Sequence, residues 1–207
     1  MASLALVTRD PESVVWGKTH NFICRKSFDR RSSARREKVL KDFLAAEELT
    51  IAGEKHIDYT PIYEAITRWC SMYRVRGIVV DVMTGGKTLY DFVRRPFPAQ
   101  VITFKKGKVT RSQGCCYFAD MCTERRLRVA GSRLLRWELT NARKHEYPDG
   151  GTEIVRLEPD MKSGIDGLYA LIHGMFPYSD QANKQGTIPT TMEDYEQSYK
   201  SLLMEAV

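Results

Sequence analysis

The sequence predicts an α/β domain in which a mixed sheet is flanked by helices and carries an antiparallel hairpin at one edge. Three observations predict it. Residues 3–8 and 13–24 are extended runs of alternating character on either side of Arg9-Asp10-Pro11-Glu12-Ser13, a turn composition that makes them a hairpin. Ile62, Ala65, Ile66, Trp69, Cys70 and Tyr73 recur at the i, i+3, i+4, i+7 spacing of a single buried helical stripe. Ile78-Val79-Val80-Asp81 is almost wholly apolar and ends in a carboxylate, as expected of a parallel strand covered on both faces.

The remaining elements follow in chain order. Val39, Leu40, Phe43 and Leu44 supply a helical apolar face that ends before Gly53. Asp58 is a plausible N-cap for the helix that runs to about Arg74. After Asp81 come a helix near Thr88–Arg95, a short strand Val101–Phe104 and a second long helix near Ser112–Val129, a β-α-β-α alternation. Arg133–Glu146 and Thr152–Glu158 read as two extended segments around the turn Pro148-Asp149-Gly150-Gly151. Lys162-Ser163-Gly164-Ile165-Asp166-Gly167 opens a helix whose body is Leu168, Ala170, Leu171, Ile172 and Met175. The chain therefore divides into a domain over 1–177 and a polar, acidic tail over 178–207, flexible or docked.

Composition narrows the class. The 207 residues are 43% hydrophobic and 28% charged, ordinary globular usage, and no apolar run approaches the ~18 residues of a membrane helix. The first 20 residues lack a basic start and a cleavage site, so a cytoplasmic setting is expected. Five cysteines without a C-x-x-C pair and four scattered histidines give no zinc pattern and read as reduced, packed thiols. The net charge of +6 is local: residues 24–41 carry eight basic side chains, Arg30, Arg31, Arg35 and Arg36 among them, against Asp29 and Glu37. A second acid-free stretch holds Lys105, Lys106, Lys108 and Arg111. Both are ordinary solvated faces or phosphate-contacting surfaces; without interleaved aromatics, any contact would be to nucleic-acid backbone.

Two carboxylates stand out by position, Asp81 at the end of the apolar strand and Asp166 at the start of the late apolar helix. In open α/β sheets the working crevice lies outside the carboxyl ends of the strands. Two converging aspartates suit a hard divalent cation, and a pair of ions suits phosphodiester hydrolysis. Gly85-Gly86-Lys87-Thr88 imitates the end of a phosphate-binding loop, but the first glycine of that pattern would fall at Asp81, whose charge would repel phosphate.

Five runs in order carry a resemblance: Gly53-x-x-x-Ile57-Asp58-Tyr59, the helix with Ile62 and Ile66, Tyr73-x-Val75-x-x-Ile78 ending in Asp81, Trp137-x-x-x-Asn141, and Lys162-x-x-Ile165-Asp166-Gly167-x-x-Ala170-Leu171. Together they resemble the C-terminal nuclease domain of the large terminase subunit of tailed phages and prophages, from the first strand to Met175. The resemblance implies a ribonuclease-H-like fold, and an Mg²⁺- or Mn²⁺-dependent endonuclease of two-ion chemistry that cuts concatemeric double-stranded DNA during packaging. It implies that Asp81 and Asp166 are catalytic metal ligands and that Lys162 lies near the metal or the DNA backbone. It implies the terminase small subunit or the portal as further partners, in the cytoplasm of a bacterial host. The family's first nuclease strand, with its own aspartate, would lie upstream of Ser3, as would the ATPase motor. An alternative expectation is therefore a catalytically incomplete remnant that binds DNA or a packaging partner without cleaving it.

Overall fold

A computed structural model of the chain describes residues 1–31, 34–81, 87–95, 101–104, 108–129, 131–148, 151–157 and 164–179. The expected hairpin forms its backbone. β1 (Ala2–Arg9) and β2 (Val15–Ile23) pair antiparallel over their full length, from Ala2 opposite Phe22 to Arg9 opposite Val15. The turn between them is closed by the Asp10 carboxylate, which accepts from the Val14 N–H at 2.8 Å and the Trp16 indole N–H at 3.1 Å. Those bonds hold the Asp10 carboxyl below its ordinary range, the Trp16 bond being the largest influence.

β2 is the central strand. Its second edge is shared by two short parallel partners, β6 (Leu127–Val129) beside Val15–Gly17 and β3 (Leu49–Ile51) beside Asn21–Ile23. The result is a mixed four-stranded sheet with β1 at one edge. A parallel pair, β4 (Ile78–Asp81) and β5 (Val101–Phe104), stands apart from it in hydrogen bonding, with Asp81 opposite Phe104. β7 (Ala142–Glu146) and β8 (Thr152–Arg156) form an antiparallel hairpin.

Seven α-helices are described: α1 (Arg25–Arg31), α2 (Ala34–Ala45), α3 (Thr60–Met72), α4 (Lys87–Val93), α5 (Lys108–Thr123), α6 (Arg133–Thr140) and α7 (Asp166–Met175). The two faces of the β1–β2 ribbon serve different cores, as the period of two in a strand requires. Ala5 and Val7 pack with Val15 beneath α5 and α7, in a cluster built on Cys115, Phe118, Met121, Leu135, Leu168, Leu171, Ile172 and Met175. Ala2 and Leu4 join Phe22 in a cluster with Ile62, Ala65 and Ile66 of α3 and with Val80, Val93 and Val101. A third cluster gathers Ile23, Phe28, Leu40, Phe43, Leu49 and Leu134. α7 lies close on the sheet because there is a glycine on each side of the contact: a Cβ on Gly17 of β2 would come within 2.6 Å of Leu171 Cδ1, and one on Gly174 of α7 within 2.8 Å of Val7 Cγ2.

The elements that differ from expectation differ for identifiable reasons. Arg133–Thr140 is the helix α6, not the first part of an extended segment. Ser132 caps it by accepting from the Leu135 N–H, and the Glu48 carboxylate accepts from Ser132 Oγ and from the N–H groups of Arg133 and Leu134. That second cap comes from 85 residues upstream in sequence. The expected helix near Ser112–Val129 starts earlier, at Lys108, and stops at Thr123, where a turn with Arg125 at φ 57° releases the chain into β6. Asp58 does not occupy the N-cap position of α3, which is Tyr59; its Oδ1 still accepts from the Thr60 N–H at 2.9 Å. β4 is parallel as expected, but Val80 alone among its residues is buried.

Candidate carboxylate site

Asp166 occupies the first turn of α7, and α7 starts on a polar seat. Ile165, the residue before the helix, is buried and offers no side-chain cap. The cap comes instead from Glu138 on α6: its Oε1 accepts from the Gly167 N–H at 3.1 Å and its Oε2 from the Leu168 N–H at 2.8 Å. A carboxylate at this end of a helix also meets the positive end of its dipole. Asn21, in the middle of the sheet on β2, donates Nδ2 to Glu138 Oε1 at 2.9 Å. Asn21 and Glu138 are both completely buried.

This node holds more acceptors than donors. Burial pushes the Glu138 carboxyl up to about 7, the Gly167 and Leu168 N–H groups pull it down, the negative charge of Asp166 raises it, and Asn21 lowers it. Asp166 Oδ2 and Asn21 Oδ1 are buried without a hydrogen-bond partner. An orphaned buried oxygen costs free energy unless something bonds it. Gly167 is required here: a Cβ at that position would lie 2.7 Å from Glu138 Oε2 and 2.9 Å from Asn21 Oδ1.

Asp81 ends β4, half-buried, with Phe104 as its register partner. The Phe104 ring stacks on His173 at 4.0 Å, so α7 packs on the β4–β5 pair through its later turns. His173 is seven residues beyond Asp166, about 10 Å along the helix axis. Asp81 and Asp166 therefore sit on β4 and α7, and β5, the register partner of β4, meets α7 through the Phe104–His173 stack. Among the described residues, no group of three or more His, Cys, Asp and Glu side chains forms a metal-sized cluster.

Of the expected basic residues, Arg30 is exposed on α1. Arg31, Arg35, Arg36 and Lys108 fall in α1, α2 and α5, and Lys105, Lys106 and Lys162 lie outside the described residues, as do Gly85, Gly86 and the tail from 180 onward. Trp137 is half-buried, its ring 5.9 Å from that of Phe43, and Asn141 is the C-cap of α6. The buried carboxylate that sequence reasoning missed is Glu138. Its signal was available: Leu134, Leu135 and Glu138 share the buried face of a short helix, and a carboxylate on such a face requires partners.

No family model matches the chain, and no curated protein matches it. Among solved structures, the crystal structure of the HK97 bacteriophage large terminase matches with a TM-score of 0.68 at 14% identity, covering 84% of this chain. The matched part spans 36% of that protein's chain. The chain thus has a terminase-like fold, a mixed α/β architecture of parallel and antiparallel strands flanked by helices. Among the described residues no helix is long and apolar enough to cross a membrane.

Proposed function

We propose that this chain is a metal-dependent endonuclease domain of the phage packaging-terminase type, cutting double-stranded DNA. The observation that carries the reading is the Asp166 carboxylate, held at the N-terminus of α7 with Oδ2 buried and unbonded, within a fold that matches a large terminase. Hard oxygen donors suit Mg²⁺ or Mn²⁺, and an orphaned carboxylate oxygen is the group such an ion would bond. Asp166 and Asp81 would hold the ions. The bound cations would supply an activated water and charge stabilisation at the phosphate.

The chain's own residues do the rest. Glu138 and Asn21 fix the start of α7, and Phe104 and His173 seat α7 against the β4–β5 pair. Arg30, with Arg31, Arg35, Arg36, Lys105, Lys106, Lys108 and Lys162, would position the duplex through its phosphates, independently of sequence. Replacing Arg30 by Ala is expected to weaken duplex binding uniformly and to reduce the slope of log K against log salt by about 1 if it contacts a phosphate. The residues beyond 177 would engage a packaging component such as the terminase small subunit or the portal, in the host cytoplasm.

Plasmid cleavage by the purified chain with Mn²⁺ or Mg²⁺, beside Asp81→Asn and Asp166→Asn, tests the reading. Metal-dependent nicking that disappears in both variants supports it. A chain that binds duplex but leaves the plasmid intact, alone and when joined to a preceding nuclease strand, is a binding module instead.

A further inference from the structure

We propose that Glu138 is a positioning residue for the metal-binding carboxylate of Asp166, acting through the first turn of α7; this rests on the nuclease reading of Asp166. Three observations converge on it. The helix that carries Asp166 has no cap of its own: Ile165 precedes it with φ −125° and ψ 32° and no side-chain bond to its amides. Glu138 supplies both missing acceptors from α6, one oxygen to the Gly167 N–H and the other to the Leu168 N–H. Asn21 then ties Glu138 to the central strand, so that α6, β2 and α7 meet at one buried carboxylate.

The geometry makes this more than a fold contact. Glu138 grips the two residues that follow Asp166, and α7 approaches β2 at Gly167, where a side chain would collide with Glu138 Oε2 and Asn21 Oδ1. The orientation of the Asp166 carboxylate therefore depends on a bond made one residue away. An apolar contact would set the distance between the elements but not the rotation of the first turn. Two bonds from one planar carboxylate to successive amides set both.

The experiment is a titration of the full chain with Mn²⁺ alone, read by electron paramagnetic resonance, at a temperature where every variant is folded by circular dichroism. Glu138→Gln keeps the size of the side chain but opposes an NH₂ to one of the amides. Gly167→Ala perturbs the same clamp from the helix side. Leu135→Ala, on the same helix and in the core, is the control for lost stability alone. The expected result is at least tenfold weaker Mn²⁺ binding, and an equal or larger fall in plasmid nicking, for Glu138→Gln and Gly167→Ala, with Leu135→Ala unchanged in Mn²⁺ affinity. If the two clamp variants lose melting temperature but bind Mn²⁺ like wild type, Glu138 is a structural cap and the proposal fails while the nuclease reading stands. If wild type neither binds Mn²⁺ nor nicks DNA, the nuclease reading fails and the proposal falls with it.

Discussion

Asp166 and Asp81 stand on very different ground. The first begins a helix whose Leu168, Leu171, Ile172 and Met175 are buried in the core cluster beneath α5 and whose first turn is bonded to a buried carboxylate. The second ends a four-residue strand with one buried side chain, paired to an equally short neighbour. One half of the candidate site is built into the stability of the domain, and the other is attached to it by Val80, Val101 and the Phe104–His173 stack. The contrast teaches that changes near Asp166 should be read through global unfolding, and changes near Asp81 through local opening.

The largest expected effect is on the Asp166 side. Leu171→Ala removes a side chain that is fully buried against Gly17 and should cost about 3–5 kcal/mol, a fall of roughly 10 °C in melting temperature. A loss below about 1 kcal/mol by calorimetry would erase the distinction between the two halves.

Glu138→Ala comes next. It strands the Gly167 and Leu168 amides and Asn21 Nδ2 in a buried site, which should cost about 2–4 kcal/mol. The same residue gives a pH signature in metal-free protein. Its folded-state value, about 7, lies above the ordinary 4.5, because burial outweighs the amides that favour the charged form. The folded chain therefore holds this proton more tightly than the unfolded one. The stability this contributes is complete below pH 4.5 and is lost as the pH rises through about 7. Denaturant titrations with chelator should show wild type losing on the order of 2–3 kcal/mol relative to Glu138→Gln across that window. His20, pushed below 6.5 chiefly by burial, has the opposite slope, so the difference between the two proteins isolates Glu138.

Val80→Ala tests the Asp81 side. It should cost about 1–2 kcal/mol, and hydrogen exchange should rise in β4 and β5 before it rises in β2. Uniformly faster exchange would mean that β4 is part of the main cooperative unit. The smallest change is at Asp166. Asp166→Asn removes a negative charge beside Glu138 but also one beside the positive end of the α7 dipole, so the metal-free chain should change by less than about 1 kcal/mol while nicking is abolished. A loss well above that would mean that Oδ2 has a bonding partner in solution.

The sequence by itself determined what local pattern can determine. The alternation in residues 3–24 specified β1 and β2, the spacing of Ile62 to Trp69 specified α3, and the apolar runs at 78–81 and 101–104 specified a parallel pair, because each signal is read within a few residues. The order of these pieces was enough to suggest the terminase-like fold that the solved structure matches. The tertiary structure decided the rest. α6 forms where extended chain was expected because Glu48, far upstream, caps it. β3 and β6 are strands of only three residues, defined by the edge of β2 that they share. Glu138 acquires its role only when α6 is set beside the uncapped start of α7 and the buried amide of Asn21. Hydrogen bonds between residues 29 and 117 positions apart are invisible to any local pattern. The core that excludes water around them is what makes those bonds decisive, since an amide or carboxylate left unpaired there has no solvent to turn to.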